Sequence, residues 1–84
     1  MSHFVYIVKC ADKTLYTGYT NNLEKRLISH NESKRGARYT RARRPVVLVY
    51  FKKFRLKGKA LSREAEIKNL SREKKLKLIS GAMV

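Results

Sequence analysis

The chain has 84 residues, of which 21 are Lys or Arg against 6 Asp or Glu, a formal net charge of +15. That length holds one modest hydrophobic core and excludes a second domain, while the lone Cys10 excludes an internal disulfide and no cysteine or histidine grouping has zinc-site spacing. No apolar run is long enough to span a bilayer and no basic segment leads into an apolar signal core, so the expectation is one domain over 1–84, cytoplasmic, with a polyanion as partner.

Residues 4–9 and 14–20, rich in Val, Ile, Tyr and Thr, predict two strands of a hairpin that turns at Ala11-Asp12-Lys13. With the turn centred on Asp12, even-numbered residues oppose even-numbered ones, so Tyr6 and Tyr16 share a face as diagonal neighbours. Asn21 stands as an N-cap with Glu24 three residues on, and Leu23, Leu27 and Ile28 give a helix reaching about His30 an apolar side. Arg26 and His30 are four apart, hence neighbours on that helix beside the Leu23/Leu27 stripe, within reach of the sheet's rim.

From Asn31 to Arg44 periodicity is lost, which predicts an exposed loop with a short helical turn around Ala37 to Thr40, ended by Pro45. Residues 46–54 form the strongest strand in the chain, expected as the central or covering strand of a three-stranded antiparallel sheet. Gly58 is expected to break the chain before helices over about 59–70 and 72–80, with Ser71 as a cap between them and Gly81 ending the second. The fold class that results is α/β of the α+β type, a three-stranded antiparallel sheet flanked by about three helices.

No acidic residue falls between Glu32 and Glu64, whereas more than half of the Lys and Arg do. Lys34, Arg35, Arg38, Arg41, Arg43 and Arg44 in the loop are the candidate nucleic-acid contacts. Charge alone also suits a solvated surface or an acidic protein partner. Tyrosines and polar side chains among the arginines favour nucleic acid, and no amphipathic helix offers the bulky apolar face of a membrane binder.

Projected at about 100° per residue, 60–70 places Ala60, Leu61, Ile67 and Leu70 on one side, with Glu64 near its middle and Glu66 turned away. A carboxylate on an apolar face calls for an ion pair, with Lys68 one turn on, or for a metal. One carboxylate can hold Mg²⁺ when phosphate oxygens and waters fill the other positions.

The order of Phe4-Val5-Tyr6, then Tyr16-Thr17-Gly18, then Asn22-Leu23-Glu24-Lys25-Arg26-Leu27 with His30, and a late Ala60-Leu61-x-x-Glu64, resembles the GIY-YIG nuclease domains over nearly the whole chain. The first triplet keeps only the tyrosine of Gly-Ile-Tyr; the second keeps the tyrosine and glycine of Tyr-Ile-Gly. The likeness is to small single-domain bacterial members of unassigned role, similar to the catalytic unit of structure-specific junction nucleases. It implies a Mg²⁺- or Mn²⁺-dependent endonuclease or nickase using one ion, with DNA favoured over RNA; the alternative is a non-catalytic basic DNA- or RNA-binding module. By the same resemblance Glu64 is the metal ligand and Tyr6 and Tyr16 border the reacting phosphate, one of them activating water. Arg26 then binds the scissile phosphate, His30 transfers a proton or orients phosphate, and Gly18 lets substrate or helix backbone approach closely.

Overall fold

The computed structural model describes residues 2–32 and 38–81, without the side chain of Arg38. Three strands, β1 (His3–Lys9), β2 (Leu15–Thr20) and β3 (Val47–Phe54), form one antiparallel sheet in the order β2-β1-β3. Helices α1 (Leu23–Glu32) and α2 (Arg38–Arg41) lie between β2 and β3, and α3 (Lys57–Lys68) and α4 (Arg72–Ile79) follow.

The central strand is therefore β1, and β3, expected as the central or covering strand, lies at an edge. The physical reason is burial on both faces: Val5, Tyr6, Ile7 and Val8 of β1 are all buried, while Val47, Phe51, Lys52 and Lys53 of β3 remain exposed. Apolar content marked β3 as a strand; position in the sheet depends on which strand pairs twice.

The hairpin register pairs Tyr6 with Gly18 and Val8 with Tyr16, the diagonal arrangement the turn implies. The turn closes through Lys13 N–H to the Cys10 carbonyl (2.9 Å) and Cys10 N–H to the Thr14 carbonyl (2.8 Å), with Lys13 at φ 73°. A type I turn followed by a left-handed residue has this form. Asp12 fixes it by accepting from Thr14 N–H (3.1 Å) and the Thr14 hydroxyl (2.6 Å).

Strand alternation sends odd and even residues of β1 to opposite faces. On one face Val5 and Ile7 pack with Ala60 and Ile67 of α3 and Leu78 of α4. On the other, Tyr6 and Val8 pack with Cys10 and Val46, against Leu23 and Leu27 of α1 and Tyr16 and Leu48. The two faces thus divide the helices.

Several local expectations shift. The N-cap of α1 is Asn22 rather than Asn21: its Oδ1 accepts from Lys25 N–H at 3.0 Å, and its carbonyl takes the Arg26 N–H. Gly58 lies inside the first turn of α3, which starts from Leu56 without a side-chain cap. Leu61 is 41% exposed, because the buried line of α3 runs through Ala60 and Ile67, some 100° away. Ser71 does cap α4, accepting from Lys74 N–H at 3.2 Å, and Gly81 ends it at φ 82°, the left-handed conformation glycine adopts without steric cost.

Candidate active site

Tyr6 emerges from the central strand beneath α1, and the residue opposite it on β2 is Gly18. A Cβ at Gly18 would lie 2.6 Å from Tyr6 Cζ and closer still to the phenolic oxygen. Glycine is required there because the phenol crosses the neighbouring strand, so the group that approaches Gly18 is the protein's own tyrosine rather than the substrate or helix backbone expected.

The Tyr6 hydroxyl meets α1 twice. His30 Nε2 lies 2.6 Å away, and Arg26 Nε donates to the same oxygen at 3.3 Å. Arg26 and His30 are one turn apart on α1, so both reach a single strand residue. The other His30 nitrogen, Nδ1, lies 2.7 Å from Thr40 Oγ1 on α2. With Arg26 donating to its oxygen, the Tyr6 hydroxyl is assigned as donor to His30 Nε2, the tautomer in which Nδ1 carries the hydrogen that Thr40 accepts.

His30 is fully buried, and burial together with the Arg26 and Arg44 charges pushes its pKa down to about 4. The imidazole is neutral at physiological pH and has no exposed surface. Tyr6 is 1% exposed, and burial raises its pKa, against the opposing pull of the Arg26 hydrogen bond and charge. It is a neutral phenol in this state. Burial opposes the Arg26 charge, but the hydrogen bond and the phenolic groups of Tyr6 and Tyr16 prevail and its pKa rises.

Tyr16 is only half-buried. Its ring stands edge-on to His30, centroids 5.4 Å apart, and stacks on Tyr39 at 5.8 Å. The far side of Tyr39 carries the Arg43 guanidinium, 4.0 Å from the ring centroid, and Arg43 also bonds Asp12 Oδ2 at 3.0 Å. Tyr16 is thereby held between α1 and an aromatic brace tied to the hairpin turn.

Glu64 stands on the helix covering the opposite face, yet its charge acts on Tyr6. Its side chain is 18% exposed and Oε2 lies 3.3 Å from Lys68 Nζ, the ion pair one turn on. Glu66 is outward and 3.9 Å from Arg63. Among the described residues no three His, Cys, Asp or Glu converge. A single carboxylate of this kind fits Mg²⁺, which keeps several waters and takes phosphate oxygens, and does not fit an ion needing an all-protein cage.

The candidate contact arginines divide. Arg41 is exposed. Arg43 is occupied by Asp12 and Tyr39, and Arg44 turns inward, donating to the Ser29 carbonyl at 3.2 Å and to that of His30. Lys34 and Arg35 lie outside the described residues, as does the side chain of Arg38.

A family model described as the GIY-YIG catalytic domain matches residues 2–77. The chain belongs to the GIY-YIG family. Its relatives include a UPF0213 protein of Staphylococcus saprophyticus, 60% identical over 78 residues that cover 93% of this chain and 94% of that one. Another, from Clostridium perfringens, is 56% identical over 82 residues, 98% of this chain and 87% of the relative. Among solved structures, the solution NMR structure of a UPF0213 protein from Bacillus halodurans has a TM-score of 0.62 at 46% identity, covering 95% of this chain and 84% of that one. That of a protein from E. faecalis has a TM-score of 0.66 at 36% identity, covering 96% and 85%.

GIY-YIG domains are nuclease domains, so nucleic acid is the partner class the family implies. The two GIY-YIG triplets lie side by side through the Tyr6–Gly18 pair. Tyr39 and Thr40 were not singled out in the sequence because their loop has no periodicity; only the arginines around them stood out. Among the described residues no helix is long and apolar enough to cross a membrane.

Proposed function

We propose that the protein is a Mg²⁺- or Mn²⁺-dependent endonuclease or nickase that hydrolyses phosphodiester bonds in DNA. The observation that carries this reading is the linkage of Arg26 to Tyr6 and of Tyr6 and Tyr16 to His30, which gathers an arginine and two tyrosines on one side of α1, with Thr40 fixing the far side of His30.

Arg26 binds the scissile phosphate. Its Nε is engaged by Tyr6, and its remaining guanidinium N–H groups would meet non-bridging oxygens and stabilise the charge that grows in the transition state. Tyr16, the more open tyrosine, positions the attacking water through a hydrogen bond to its phenolic oxygen, and the water's proton passes to solvent or to a phosphate oxygen as the bond to phosphorus forms and the bond to the leaving oxygen breaks. Tyr6 holds Arg26 in place, and His30 acts through Tyr6 by accepting its proton in a hydrogen bond. Glu64 would hold the divalent ion, which when bound supplies Lewis acidity at the phosphate and leaving oxygen.

The test is nicking of supercoiled plasmid DNA with Mg²⁺ and with EDTA, by wild type, Arg26→Ala and Arg26→Lys. The reading predicts Mg²⁺-dependent nicking that falls about 100-fold or more in both variants, since an ammonium does not reproduce the bidentate contact. Equal nicking by all three would remove Arg26 from the chemistry. Salt-dependent binding of DNA by a wild type that never cuts would favour a non-catalytic binding module.

A further inference from the structure

The sheet face that carries Tyr6 is only half covered. At one end Leu23 and Leu27 of α1 pack over Val8, Tyr16 and Leu48. At the other end the register places Phe51 of β3 beside Tyr6, and Phe4 beside Lys53, all on this same face. Phe51 is 53% exposed and Phe4 half-buried, and their rings meet edge-on with centroids 6.3 Å apart. Phe51 is followed by the exposed Lys52 and Lys53 on this edge strand, which sets an open aromatic ring close to cations.

From this we infer a base-stacking subsite: the exposed ring of Phe51, braced by Phe4 and with Lys53 alongside, receives an unpaired base of the DNA strand whose phosphate lies at Arg26. Phe51 neighbours Tyr6 across one strand pair, while the Tyr6 hydroxyl that Arg26 meets leans the other way, over Gly18, so the base at Phe51 belongs to a nucleotide further along the DNA strand from the phosphate at Arg26. Aromatic platforms bind bases of any sequence because every base has a π face, and adjacent cations take the backbone. Paired bases keep their faces stacked within the duplex, so the subsite selects single-stranded, flap or distorted DNA. A second copy of this chain suits the patch poorly, since each copy carries +15 and β3 presents Lys52 and Lys53 along its edge.

This inference rests on the nuclease reading for the placement of the phosphate, but its test needs no cleavage. Binding is measured in EDTA with a single-stranded oligonucleotide carrying 2-aminopurine, the same strand with an abasic site at that position, and a fully paired duplex. Wild type should quench the 2-aminopurine and bind the intact strand about 10-fold more tightly than the abasic one, the order of a lost base–aromatic stack. Phe51→Leu, which keeps the apolar packing without a planar ring, should bind both strands alike at the weaker level, and Phe51→Trp should retain the preference. The dependence of affinity on salt should be the same in all three, because the phosphate contacts are untouched. Unchanged quenching and affinity in Phe51→Leu would overturn the subsite, as would equal loss on intact and abasic strands. A wild-type dimer in sedimentation that Phe51→Leu dissolves would also overturn it, assigning the face to a second copy.

Discussion

The Tyr6 hydroxyl and His30 Nε2 are 2.6 Å apart, with both groups buried and Thr40 closing the far side of the ring at 2.7 Å. This contact joins the central strand to α1 and α2, so the geometry around Arg26 depends on an imidazole that stays neutral.

Neutrality gives the fold a pH dependence with a definite sign. His30 has a folded pKa of about 4 against an ordinary value of 6.5, so the unfolded chain takes up a proton first as pH falls. The His30 contribution is complete above about pH 6.5 and is lost on acidification toward pH 4, amounting to about 3 kcal/mol. Melting temperature should decline from pH 6.5 to 5, above the range where most carboxylates titrate, and His30→Gln should flatten that segment while starting lower. A wild-type melting temperature constant over that interval would contradict the assignment.

Gly18→Ala should destabilise by about 1–3 kcal/mol, the ordinary range for overpacking, because the added methyl collides with the Tyr6 phenol. The double variant Gly18→Ala/Tyr6→Leu should cost less than the sum of the singles, which a double-mutant cycle of denaturant midpoints measures. Strict additivity would mean that the collision is relieved elsewhere.

Thr17 is buried opposite Ile7, and among the described residues its hydroxyl has no hydrogen-bond partner. Thr17→Val keeps the shape and removes an unsatisfied polar atom, so it should raise stability by about 1 kcal/mol. Chemical denaturation checks this; a loss of that size would reveal a partner for the hydroxyl.

Arg43 and Arg44 should part company from a simple phosphate-binding role. Arg44→Ala leaves the Ser29 and His30 carbonyls without their donor and should lower the melting temperature. Arg43→Ala removes a half-exposed ion pair with Asp12, worth about 0–1 kcal/mol. A drop in DNA affinity for Arg44→Ala beyond its loss of folded protein would restore it as a direct contact.

The hairpin, its register and the Tyr6/Tyr16 diagonal were legible because a short turn centred on Asp12 leaves little freedom and period-2 alternation does the rest. Helix spacing likewise joined Arg26 to His30. What the sequence withheld were tertiary facts. The burial of His30 depends on α2 folding back to bring Thr40 to its ring, and the inward turn of Arg44 depends on where α1 ends. The edge position of β3 followed from pairing rather than composition. Glu64 was legible both as an inward carboxylate and as a partner for Lys68, and it is both.

Glu64 accordingly supplies the most direct test of the central claim, through cleavage, DNA binding and melting temperature measured on Glu64→Gln and Glu66→Gln. Losing the partly exposed pair with Lys68 costs only about 0.3–0.5 kcal/mol, so Glu64→Gln should remain folded. The metal-ligand role predicts that it loses Mg²⁺-dependent cleavage while binding DNA at least as tightly as wild type, one repulsive charge near the phosphate being gone, and that Glu66→Gln cuts normally. A folded Glu64→Gln protein that cuts as fast as wild type would contradict the account.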